Sequence, residues 1–254
     1  RRPMYVLELP QKPDDPDAGL ALGDLYLAQR DYTRAAAAYG DVVKKIPAHP
    51  AGYVRLSSLY MAQGQLDRAA AELEKALKLD PRSAPLSVSL VQIYMKQKKY
   101  NAALAVLENR LRQNPMDALA HSMSGQIYNA QGNERKAEEA YRQAMAVYEK
   151  ILERQPDQWI AANDLAFLLT EYGTQQDDLK RAFALAGKAY GKQPNNPAVL
   201  DTLGWIYYKM GDYRHAQEML AKALAKAPSS VMLNYHYGMV LLKTGQVEKG
   251  RERL

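Results

Sequence analysis

The chain has no cysteine among its 254 residues. That excludes a disulfide framework, a thiolate zinc site, an iron–sulfur cluster and a cysteine nucleophile. It leaves the compartment open, because a cysteine-free chain suits oxidising and reducing surroundings alike. Long apolar runs are missing too. No stretch approaches the roughly 18 unbroken apolar residues of a membrane span, and no apolar signal core follows Arg1. Histidine is scarce: His49, His121, His215 and His236 form no compact metal-ligand spacing, and each reads as a surface or groove residue. There is no Gly-x-Ser-x-Gly elbow and no phosphate-binding loop. The adjacent carboxylates Glu138–Glu139 and Asp177–Asp178 read as solvated charge on a helix surface and in a loop. No set of reactive groups converges. The chain is therefore expected to be non-enzymatic, with no cofactor and no metal.

Charge is mildly unbalanced, with 34 basic against 28 acidic residues and a net charge of +6. Nucleic acid or an anionic surface would fit a basic chain. Here the basic residues are interleaved with glutamates, as in Glu72, Glu74, Lys75 and Lys78, and no stacking aromatics alternate with them. Nucleic-acid binding is not expected.

What is present is a ruler. Pro47, Pro81 and Pro115 stand 34 residues apart, Pro156 follows after 41, Pro194 after 38 and Pro228 after 34. Proline stops a helix, because it lacks the N–H and clashes with the preceding turn. A stop at a fixed period marks a solenoid. Small residues keep the beat at Gly23, Ser57, Gly125, Ala166, Gly204 and Gly238, with Val91 the exception. Three positions later come Tyr26, Tyr60, Tyr94, Tyr128, Leu169, Tyr207 and Leu241. Alanines follow at Ala35, Ala69, Ala103, Ala137, Ala182 and Ala216. Apolar residues at three- and four-residue spacing make each repeat a pair of amphipathic helices. Gly64, Gly132, Gly173, Gly211 and Gly245 are placed to end a first helix in the left-handed conformation.

This pattern resembles the tetratricopeptide repeat. Repeat two shows it in Tyr53, Leu56, Ser57, Tyr60, Gly64, Ala69, Leu73, Ala76 and Pro81, and repeat six in Leu200, Leu203, Gly204, Tyr207, Gly211, Ala216, Leu220, Ala223 and Pro228. The expected fold is all-α: a right-handed α-solenoid of about seven helix-turn-helix repeats. Residues 1–15 read as an extended proline-rich linker. The repeats are expected at 16–49, 50–83, 84–117, 118–156, 157–196, 197–230 and 231–254, the last incomplete. Seven extra residues in the fourth repeat predict a long second helix from about Glu134 to Arg154, roughly 30 Å long at 1.5 Å per residue and projecting past its neighbours. Extra residues in the fifth, Thr174 to Asp178, predict a longer polar turn. The start at Arg1 and the stop inside the seventh repeat suggest a segment of a longer chain.

In the tetratricopeptide family, ligands usually lie along the concave face lined by first helices. The resemblance therefore implies a scaffold that binds a protein or peptide there. By register, the candidate residues are Gln126, Asn129, Asn163, Phe167, Asp201, Trp205, Tyr208, Tyr235 and Met239. The amides of Gln126, Asn129 and Asn163 suit a peptide backbone. Trp205, Tyr208 and Tyr235 suit an apolar or aromatic side chain. The alternative role for Trp205 and Phe167 is packing beside the neighbouring first helix. A carboxylate clamp for acidic chaperone tails is not expected: Val54 with Ser58 and Val88 with Gln92 lack its Lys and Asn, and Asp201 would repel a carboxylate. Residues 163–169 and 201–205 resemble bacterial cell-envelope members of the family, including exopolysaccharide-export assembly factors, which points to the periplasm. Two other roles stay open. One is a substrate-recruiting segment of a larger glycosyltransferase or envelope peptidase. The other is a homo-oligomer formed through the uncapped last repeat.

Overall fold

A computed structural model describes residues 15–254; the expected linker lies outside them except for Asp15. The described residues form fourteen α-helices and no strand. They divide into two compact units, one ending at Pro115 and the other starting at Met116.

The first unit holds three helix pairs: α1 (Pro16–Ala28) with α2 (Tyr32–Lys45), α3 (Pro50–Ala62) with α4 (Leu66–Leu79), and α5 (Ala84–Lys96) with α6 (Tyr100–Gln113). The second holds four: α7 (Ala118–Ala130) with α8 (Glu134–Arg154), α9 (Trp159–Tyr172) with α10 (Asp178–Lys192), α11 (Pro197–Lys209) with α12 (Tyr213–Lys226), and α13 (Val231–Lys243) with α14 (Val247–Arg253). Each of the six junction prolines stands two residues beyond the end of a second helix. Except at α5, the next first helix then starts on a side-chain cap. Asp15 Oδ1 accepts from the Asp17 N–H, Asp117 from Ala120, and Asn196 from Ala198. Such a cap satisfies an N–H that the helix itself leaves unpaired.

The mid-pair turns obey one rule with an informative exception. Gly64, Gly132, Gly211 and Gly245 take positive φ, from +72° to +82°. A hydrogen bond then closes each first helix, for example from the Gln65 N–H to Tyr60 O at 2.8 Å. This is the left-handed closure that glycine adopts without steric cost. Arg30 and Lys98 take the same conformation in the pairs that have no glycine there. Gly173, expected to do likewise, is instead extended, at φ −64° and ψ 139°. The longer turn that follows makes the difference. A Cβ at Gly173 would stand 2.4 Å from Leu169 O and 2.7 Å from Asp178 Cβ, so glycine is needed there for close approach.

Within pairs, glycines let a tyrosine ring of the second helix lie against the backbone of the first. A Cβ at Gly23 would lie 2.2 Å from the Tyr39 ring, and one at Gly125 2.5 Å from Tyr141. Both tyrosines are buried. Val91 stands at this place in the third pair, fully buried, and α5 and α6 make the sparsest contact of any pair. A branched side chain at the point of closest approach holds two helix backbones apart. Beside α6 lies an apolar groove of about 590 Å³, walled by Leu77, Leu90, Tyr94, Ala102 and Val106.

Helix α8 is 21 residues long. Its last turns are packed: Val147 and Tyr148 are buried, and Leu152 lies against the cluster of Ala162, Ala189 and Val199.

Candidate functional site

In the second unit the first helices pack directly on one another, α9 on α11 and α11 on α13. Residues one repeat apart in sequence therefore become neighbours. Their central feature is Trp205. Its ring lies parallel to Tyr208, with centroids 4.6 Å apart, and parallel to His236 at 4.1 Å. The indole N–H donates to Glu171 Oε1 of α9 at 2.7 Å. Lys209 Nζ stands 2.9 Å from the same oxygen and 5.1 Å from the Trp205 ring centroid. His236 Nδ1 sits 2.7 Å from Asp201 Oδ1. A carboxylate only accepts, so that nitrogen carries the proton. Trp205 is 5% exposed and His236 3%. Both are clamped by polar partners on neighbouring helices.

Tyr235 is different. It is 46% exposed, with its ring 6.3 Å from Trp205 and 5.8 Å from His236. Met239, one turn further along α13, is half-buried, as is Tyr208. Of the aromatic candidates, Trp205 thus forms a locked floor, while Tyr235 and part of Tyr208 present surface. Asp201 joins the cluster through His236. Phe167 is half-buried and packs on the unit's core.

The three amides part company. Gln126 is exposed on α7. Asn129 is also exposed, but its Nδ2 donates to the hydroxyls of Tyr141 and Tyr172, each at 3.2 Å, whose rings stack at 3.8 Å. Asn163 is only 6% exposed, which removes it from the presented surface. Its Nδ2 donates to Asp164 Oδ1 at 3.3 Å, and its Oδ1 is buried without a partner.

Asp164 also accepts from the Tyr148 hydroxyl at 3.0 Å. Burial pushes its carboxyl above the ordinary carboxylate value of 3.8, against the pull of these two donors. A raised folded pKa means that the folded state binds the proton more tightly than the unfolded chain does. Stability is then lost as pH rises through the interval above 3.8. Asp164→Asn removes that loss. The variant's melting temperature should exceed the parent's at pH 7, with the gap closing as pH falls towards 4. A gap independent of pH would refute the assignment.

Glu171 and His236 join the cluster without being among the residues expected there. Glu171 precedes Trp205 by 34 residues, one repeat, which was the available signal. His236 was expected at the surface or in a groove and is instead buried, with its Nδ1 held 2.7 Å from Asp201 Oδ1. Asp178 was expected to be solvated and is 5% exposed. Its Oδ2 accepts from the Gln175 N–H at 2.8 Å and its Oδ1 from Arg181 at 3.1 Å, and Arg181 also donates to Glu149 at 2.7 Å. This network shapes a cleft of about 500 Å³ bordered by Glu138, Arg142, Met145, Tyr172 and Gln175. Among the described residues no group of three or more His, Asp or Glu could hold a metal ion, and no helix is long and apolar enough to cross a membrane.

Comparison with known proteins agrees with this architecture. Family models described as tetratricopeptide repeat match residues 20–84, 60–127, 125–157 and 174–231. A TPR repeat-containing protein of Pseudomonas aeruginosa is 33% identical over 78 residues, which is 31% of this chain and 13% of that protein. The match thus spans a small part of that relative's length. Among solved structures, a tetratricopeptide repeat protein from Parabacteroides merdae superposes with a TM-score of 0.61 at 18% identity, covering 94% of this chain and 90% of that one. PilW, a type IV pilus biogenesis factor, does so with a TM-score of 0.53 at 22% identity, covering 86% and 96%. At these identities the structural likeness speaks to the fold alone. With seven helix-turn-helix pairs in register and family models along most of its length, the chain belongs to the tetratricopeptide repeat family.

Proposed function

We propose that the first-helix face of the second unit binds a segment of a partner protein, and that the chain serves as a non-enzymatic scaffold in a larger assembly. One observation carries this reading. Side chains from separate helices meet in a cluster whose floor is locked by hydrogen bonds and whose top, Tyr235 with Tyr208 and Met239, faces solvent. An exposed tyrosine over a rigid aromatic base is the kind of anchor that dominates interfaces, since little side-chain freedom is lost on binding. The packed helix pairs make the face preformed. Tetratricopeptide repeats in general are protein-interaction scaffolds, and this cluster is where we place the contact.

The test is site-specific photocrosslinking in the native host, with a photoreactive residue at Met239 and, as control, at Lys188, which is exposed on α10. A discrete adduct from position 239, lost in Tyr208→Ala/Tyr235→Ala, is expected. The double variant should weaken binding of the crosslinked partner at least about tenfold, given one to two kcal/mol per anchor. Equal adducts from both positions would remove the face from consideration.

A further inference from the structure

Charge is distributed very unevenly between the two kinds of helix in the second unit. The four first helices, α7, α9, α11 and α13, carry only five charged side chains: Asp164, Glu171, Asp201, Lys209 and Lys243. Helix α8 alone carries ten. The few charges on the first helices are, moreover, consumed internally. Asp164 accepts from Tyr148 and Asn163. Glu171 accepts from Trp205 and faces Lys209. Asp201 faces His236. No carboxylate of these helices is left to answer a cation. Of the two lysines, only Lys243, in the last turn of α13, lies outside a pair.

The consequence is energetic. A cationic ligand group that settles against such a face gives up water and meets no free carboxylate, and an anionic one meets an opposite charge outside a pair only at Lys243, at the end of α13; elsewhere apolar contact does not repay the cost. An uncharged segment escapes that cost. It gains the exposed area of Tyr235, Tyr208 and Met239, and its backbone can pair with the free-standing amide of Gln126. The chain's net charge of +6 points elsewhere, to an acidic partner, but that charge resides largely on the second helices. Resting on the binding face argued above, we infer that the segment bound there is electrically neutral, with apolar or aromatic side chains at its centre.

Selection from a random-peptide phage library on the immobilised 254-residue chain tests this, followed by affinity measurement on the enriched peptides. The expected result is an enriched core of Tyr, Trp, Phe, Leu or Met without Asp, Glu, Lys or Arg. Its Kd should change less than about threefold between about 50 and about 500 mM NaCl, since screening acts only on charge pairs. Tyr235→Ala should weaken it about tenfold or more. Charged cores, or a Kd that climbs steeply with salt while Tyr235→Ala still weakens binding, would overturn the neutral class and leave the face standing. Peptides that bind parent and Tyr235→Ala alike would overturn the face itself. No enrichment at all would count against both.

Discussion

Trp205→Ala is expected to lower the unfolding free energy by about 3–5 kcal/mol, the range for deleting a large buried aromatic side chain. Three losses combine. A cavity opens between α9, α11 and α13. Glu171 loses the indole donor and keeps only Lys209. His236, 3% exposed in the parent, loses the ring it stacks on at 4.1 Å. Tyr235→Ala, at 46% exposure, should cost about 1 kcal/mol or less, in keeping with the 0.5–1.5 kcal/mol of an aromatic pair at a wet site. Urea unfolding followed by circular dichroism separates the two. A Trp205→Ala loss below about 1 kcal/mol would show that the indole is not closed in. The contrast also governs how binding is tested. A variant that lacks Trp205 confounds a missing contact with a collapsed platform, whereas Tyr235→Ala, at an exposed position, leaves the platform in place.

Two glycine-to-alanine changes should move stability in opposite directions. Alanine is the better helix former by about 1 kcal/mol, so Gly187→Ala, with open space around its Cβ on α10, should stabilise by up to that amount. Gly125→Ala has the same propensity gain and should nevertheless destabilise by about 1–3 kcal/mol through overpacking. Its Cβ would stand 2.5, 2.7 and 2.8 Å from three atoms of the Tyr141 ring. That ring cannot retreat: it is 2% exposed, stacked on Tyr172 at 3.8 Å, and its hydroxyl is held by Asn129. In a chain of this size each kcal/mol moves the melting temperature by about 2–4 °C, so scanning calorimetry resolves the two signs. A rise for both variants would mean that the Tyr141 ring does not lie against the α7 backbone at Gly125.

What the sequence determined by itself is everything that is local or periodic. Junction prolines, cap residues and the helical spacing of apolar positions act within a turn or two of the chain. The helix pairs, their order and the long α8 were therefore legible without coordinates. The left-handed turns were legible where the linker was short. They failed at Gly173, because a few added residues let the chain leave α9 extended. The inner face could be assigned by register, but not the role of each residue on it. Asn163, Trp205 and Tyr235 look alike to a periodicity argument. Only the tertiary structure decided that the first two are enclosed and the third stands in solvent. The physical reason is distance across repeats. Burial at these positions depends on which side chains the neighbouring first helix brings up, about a repeat away in sequence. Trp205 meets Glu171 and His236 there, and Tyr235, next to His236 on the same helix, keeps nearly half its surface.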